Sequence, residues 1–205
     1  MMKNIFGLFL AILLAAPVWA AEGMTPEMQI KHISDDVLTI VREDSELQKN
    51  GNTGPATQKI DDKVLQPHFN FRHMASLGMG KEWRKASPEQ QDILVQEFKT
   101  LLVRTYSNAL TFYKNPAVDF KPARYQATDT EVLVRTQVLQ AGIKPVDIDY
   151  SLEKLENEWK VFDVVVAGVS LVTNYRQFFS QEVRNGGVEG AIKSLQAKNQ
   201  TPEKK

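Results

Sequence analysis

Few residues of this chain are placed to do chemistry. His68 and His73 come nearest to a metal pair, but their spacing misses the i, i+4 geometry of a helical zinc site, and no cysteine or nearby acid completes a ligand set. The remaining histidine, His32, lies in a different expected helix without an evident partner. Asp147 and Asp149 share one strand face, where paired carboxylates do acid–base work only if their surroundings push their pKa values apart. Ser151 and Glu153 continue that face, so it reads as a solvated stripe. Asp163 is less ordinary because it interrupts an apolar strand between Phe162 and Val164. It faces water, pairs with Arg135 or Arg176, or stands as an acid in a cavity. The chain shows no P-loop, no Rossmann glycine pattern and no nucleophile–base pair. No catalytic residue, metal or cofactor is assigned.

The stretch from Trp159 to Phe179, WKVFDVVVAGVSLVTNYRQFF, places apolar residues where a reaction centre would need reactive ones. Strand alternation puts Trp159, Val161 and Val165 on one side and Phe162, Val164 and Val166 on the other. Gly168 breaks the run, and Ser170 or Thr173 can cap a helix carrying Asn174, Tyr175, Phe178 and Phe179. A catalytic strand end would offer a nucleophile, an acid or a metal ligand; this one offers Val169, Leu171 and Val172. Its character is that of a wall.

The elements around this wall follow from periodicity. Pro26 at a first-turn position, then Met28, Ile30, Ile33, Val37, Leu38, Ile40 and Val41, predict an amphipathic helix that ends before Asn50-Gly51. After an NGNTGP turn, a second helix starts near Pro55 and carries Ile60, Val64 and Leu65 until Pro67; a short helix and loop follow from His68 to Gly80. Ser87-Pro88-Glu89-Gln90 is a helix start with a capping box. That helix is expected to reach about Tyr113, with Leu94, Phe98, Leu101, Leu102, Thr105, Tyr106, Ala109, Leu110 and Tyr113 on one face. Beyond Pro116 the period becomes two, weakly over Val118 to Tyr125, then clearly in Val132, Val134, Thr136 and Val138, and in Val146, Ile148, Tyr150 and Leu152. With Trp159 to Val166 these make about four strands, and the short turns at Ala141-Gly142 and Asn157 make the sheet antiparallel. Two last helices, Val172 to Asn185 and Val188 to Ala197, precede a fraying tail at 201–205. The fold class is α+β: a helical part over about 25–113, a sheet over about 117–167, and C-terminal helices over about 170–198.

Lys3, the apolar run from Ile5 to Ala16 and the Val18-Trp19-Ala20 site have the form of a cleavable signal peptide over residues 1–20, with a mature chain expected from Ala21. The run is shorter than the roughly 20 residues of a spanning helix, and Pro17 interrupts its end. The 25 basic and 25 acidic residues balance, which argues against a nucleic-acid partner. With no cysteine, stability must rest on packing, and a fold held only by packing is free to open. A single domain over 21–200 is expected.

Three motifs, in order, carry a resemblance: LQPHFNFRHMASLGMGKEWRKASPEQQ from Leu65, FKTLLVRTY from Phe98, and GVSLVTNYRQFF after WKVFDV. Together they resemble the MlaC family, also called the toluene-tolerance family, of periplasmic phospholipid carriers. The chain departs from the family pattern at Asn70, where an acid is expected in many relatives, and at Ala167, where Glu is common. The resemblance implies a phospholipid ligand held in an apolar pocket between sheet and helices. It also implies two partners, an inner-membrane ABC transporter complex with a lipid-binding substrate-domain ring and an outer-membrane lipoprotein–porin complex. A monomer is expected.

On that reading the Met and aromatic residues, taken singly ordinary core, become lining, because flexible and flat apolar side chains suit an occupant without fixed shape. The expected lining is Phe69, Phe71 and Met74; Leu94, Phe98, Leu101, Leu102 and Tyr106; Val132 and Val134; and Val164, Val166, Val169, Leu171, Val172 and Tyr175. Arg135 and Arg176 are the first choices for a head group or a partner. Two rivals stay open: a small enzyme using Asp163 or Tyr175 on a hydrophobic substrate, and a ligand-free adaptor with a solid core.

Overall fold

The computed structural model describes residues 24–44, 54–107 and 116–200. The expected signal peptide, most of the NGNTGP turn, the continuation of the long helix to Tyr113 and the tail at 201–205 lie outside the described residues.

Helix α1, Pro26–Glu43, starts where the sequence places it: Thr25 Oγ1 accepts the Met28 amide at 3.2 Å and Pro26 fills the first turn. Ile30, Ile33 and Val41 face inward and are buried. Helix α2 combines Gly54–Ile60, a π turn over Asp61–Leu65 and a last turn Gln66–His68. Pro67 has no amide to donate, and in a regular helix its ring would strike the carbonyl of Lys63; widening the turn before it relieves that clash. Helix α3, Phe71–Met79, is capped by Asn70, whose Oδ1 accepts the His73 amide at 3.0 Å. A 3₁₀ segment, Gly80–Lys85, leads to α4, Pro88–Ser107. The α4 capping box is reciprocal: Gln90 N–H donates to Ser87 Oγ at 3.2 Å, and Ser87 N–H to Gln90 Oε1 at 3.0 Å.

The sheet has five antiparallel strands in chain order: β1 Ala117–Phe120, β2 Glu131–Gln140, β3 Ile143–Leu155, β4 Glu158–Val166 and β5 Val169–Ser170. The strand expected from Val118 to Tyr125 ends at Phe120. The fifth strand is a two-residue return after Ala167-Gly168, both with positive φ (50° and 84°), the backbone of a tight hairpin. A bulge changes the faces of β4. Leu152 pairs with Val161 but Ser151 pairs with Asp163, so Phe162 is the extra residue. Trp159, Val161, Val164 and Val166 therefore share the inner face. Simple alternation had separated the first two from the last two.

Helix α5, Leu171–Gln200, is broken at Gly186 and Gly187, giving the two helical segments that the sequence predicts. Ser170 Oγ accepts the Thr173 amide at 3.0 Å and caps its start. Two buried clusters result. In one, Met74, Leu94, Phe98, Phe179 and Leu195 join α3, α4 and α5. In the other, Ile30, Ile60 and Val64 of α1 and α2 cover Val134, Leu152 and Val161 on the inner face of the sheet.

Candidate functional site

Where the two clusters meet, the packing leaves a cavity of about 350 Å³, at the lower end of the roughly 300–1,000 Å³ of ligand pockets. One wall is the inner face of the sheet, with Val146, Ile148 and Tyr150 on β3 and Val164 and Val166 on β4. Register sets this wall, since Ile148 lies opposite Val166 and Tyr150 opposite Val164. Ile33 and Val37 of α1, and Thr57, Ile60 and Leu65 of α2, form a second wall. Phe69, Phe71, Met74, Leu171 and the α4 residues Leu102, Val103 and Tyr106 complete it.

Of the residues expected to line a pocket, Phe69, Phe71, Met74, Leu102, Tyr106, Val164, Val166 and Leu171 do so. Leu94, Phe98, Leu101 and Val172 are instead packed in the helical cluster, because their stretch of each helix faces another helix and not the gap. Tyr175 joins that cluster edge-on to Phe98, with ring centroids 5.2 Å apart. Val132 and Val134 lie on the correct sheet face but are buried in the cluster that α1 and α2 cover. Val169 sits on the β4–β5 hairpin and is 54% exposed. Arg135 points outward beside Asp149, at 3.9 Å, and Arg176 donates to the Leu77 carbonyl at 3.2 Å; neither lines the cavity. Sequence reasoning missed Ile33, Val37, Thr57, Ile60, Leu65, Val103, Val146, Ile148 and Tyr150. The alternation over Val146, Ile148 and Tyr150 was visible, but its partner face depended on the β4 bulge.

The polar groups of the lining are hydroxyls. Burial pushes the Tyr150 phenol up to about 12, against an opposing hydrogen bond with Thr136. Tyr106 is also raised, by burial first and then by Tyr175. Both are neutral at pH 7, so the lining presents no general base.

Asp163 has a structural role. Its Oδ2 accepts the Ser170 hydroxyl at 2.6 Å, and its Oδ1 accepts the amides of Val172 at 3.2 Å and Val164 at 2.9 Å. It therefore ties the bulged strand to the start of α5, where a carboxylate also suits the helix dipole. Pairing with Arg135 or Arg176 does not occur, since those residues hold Asp149 and Leu77. Asp163→Ala is expected to lower unfolding stability by about 2–3 kcal/mol, because three donors lose a charged acceptor. Urea denaturation measures this, and a loss below about 0.5 kcal/mol would contradict the role.

The two histidines of the candidate metal pair serve different contacts. Gln29 Nε2 donates to His68 Nδ1 at 2.7 Å, while His73 Nδ1 lies 2.9 Å from Glu153 Oε1. Glu153 also accepts from Asn70 Nδ2 at 2.8 Å, so it leaves the solvated stripe expected for it and joins β3 to the start of α3. An acid at position 70 could not make that donation. His32 stacks edge-on to His68, with centroids 5.8 Å apart.

Burial, then the charges of His32 and Lys160, lowers the His68 pKa below its usual 6.5. A depressed histidine favours the neutral native state, and the unfolded chain takes up the proton first. Stability should therefore fall as pH drops through 6.5, until the native state protonates as well. Urea midpoints at about pH 7.5 and 5.5 should show this loss, and His68→Asn should reduce it. An unchanged difference in the variant would assign the pH dependence to other groups.

A second cleft, of about 420 Å³, lies between α1 and β1. Lys31, Asp35 and Arg42 line it, so it is a charged surface groove rather than an apolar compartment. Among the described residues no helix is long and apolar enough to cross a membrane.

Comparison with known proteins gives consistent results. The profile of the family described as MlaC protein matches residues 31–197. The toluene tolerance protein ttg2D of Pseudomonas putida is 26% identical over 95% of this chain and 94% of that protein. The intermembrane phospholipid transport system binding protein MlaC of Haemophilus influenzae is 26% identical over 67% of this chain and 66% of its own. A phospholipid-binding protein from Ralstonia solanacearum, solved in complex with a phospholipid, superposes with a TM-score of 0.77. It is 37% identical, covering 83% of this chain and 94% of that one.

Proposed function

Because the chain belongs to the MlaC family, we propose that it is a periplasmic phospholipid carrier, shuttling lipid between the outer and inner membranes and so maintaining outer-membrane asymmetry. One observation carries this reading: seventeen side chains line the cavity and none of them is charged. A diacyl lipid free in water would expose about thirty methylenes at about 0.8 kcal/mol each, a cost on the order of 25 kcal/mol. Unassisted desorption is correspondingly slow. An apolar compartment replaces that water contact, while the head group stays at the mouth in water.

The carrier acts without a chemical step. Direction comes from partners, an inner-membrane ABC transporter complex with its lipid-binding substrate-domain ring and an outer-membrane lipoprotein–porin complex. Residues 1–20 are removed on export, and the mature protein works as a monomer. The acid and base candidates of an enzyme, Asp163 and Tyr175, are both off the cavity wall.

The test is transfer between two vesicle populations in buffer, one carrying fluorescent phospholipid. Purified protein should accelerate exchange in proportion to its concentration and without nucleotide. No acceleration, or hydrolysis of the labelled lipid in place of its movement, would contradict the carrier.

A further inference from the structure

Two buried oxygens on one face of α2 lack a hydrogen-bond partner: Thr57 Oγ1 and, four residues on, Asp61 Oδ1. Thr57 lines the cavity, so its unmatched donor belongs to an otherwise apolar wall. Asp61 is a separate case, an acceptor that lies off the cavity wall. Its other oxygen takes the Lys99 ammonium at 2.9 Å, in a pair whose side chains are only 21% and 14% exposed, while Oδ1 stays open. A buried polar group left unmatched is costly, and native proteins rarely keep one without a use.

The missing partner of Thr57 is an acceptor brought by whatever fills the cavity. A hydrocarbon chain brings none. An acyl ester brings a carbonyl oxygen at the junction of chain and glycerol, the one strong acceptor that must enter with the chain. We infer that the Thr57 hydroxyl donates to an acyl-ester carbonyl of the bound glycerophospholipid. This rests on the phospholipid reading above and deepens it. Thr57 then marks the level of the glycerol backbone. The contact selects ester-linked lipids over ether-linked ones and is indifferent to the head group.

The experiment offers the protein vesicles containing equal amounts of diester and diether phosphatidylethanolamine with matched chains. Bound lipid is extracted and quantified by mass spectrometry. Wild type should be enriched in diester lipid about 5- to 10-fold, the ratio that one net hydrogen bond supplies. Thr57→Val, of equal shape, should take both lipids in the ratio offered, and Thr57→Ser should keep the preference. Equal uptake by wild type overturns the inference while leaving the carrier intact, and so does a preference that survives in Thr57→Val. Uptake of neither lipid by wild type overturns the carrier reading, and the inference with it. The wild-type ratio stands even if a variant fails to fold.

Discussion

Replacing Val166 by tryptophan should lower bound phospholipid at least about tenfold while leaving the lipid-free protein nearly as stable as wild type. Val166 lines the cavity on β4, so the larger ring enters space meant for ligand. A tightly packed position would respond differently, with overpacking costs of about 1–3 kcal/mol. Val169→Trp is the matched control three residues on, on a half-exposed hairpin, and should bind lipid normally. Thermal melts of delipidated protein and phosphate per protein after reconstitution separate the outcomes. Normal lipid in Val166→Trp would move the pocket elsewhere. Equal loss in both variants would make the effect one of the hairpin.

The largest stability loss should come from Phe98→Ala, at about 3–5 kcal/mol. Phe98 is fully buried and meets Tyr175 and Phe179 edge-on at 5.2 and 5.3 Å, so its ring joins α4 to α5. No neighbouring element is free to fill the space. For a chain of this length the melting temperature should drop by about 10 °C. Phospholipid should restore part of the loss, because a ligand bound only by the native state adds its binding free energy to stability. A cost under about 1 kcal/mol would show that Phe98 borders a void, as the family resemblance implies, and is not packed core.

That contrast shows where sequence reading succeeds and where it stops. Ser87 and Gln90 announce their helix because a capping box is a local interaction. The β2 and β3 alternation predicts the antiparallel meander because strand period and two-residue turns are local too. Leu94 and Leu102 look alike on the page and both pack in the helical core, yet only Leu102 also lines the cavity. Periodicity says that a side chain points inward, not whether it meets atoms or a gap. The bulge at Phe162 reverses the second half of β4, and no single residue type declares a bulge. Ile33 and Ile60 reach the cavity through the placement of whole helices, which is a tertiary property. Arginine positions were least legible, since the partners of Arg135 and Arg176 come from β3 and α3.

The most direct measurement of the central claim is the lipid content of the protein purified from its native cells without detergent. Organic extraction and mass spectrometry should find roughly one phospholipid per protein, with mixed head groups, since no charged side chain lines the cavity to select among them. A protein that is isolated without phospholipid, and takes none from vesicles afterwards, would contradict the account.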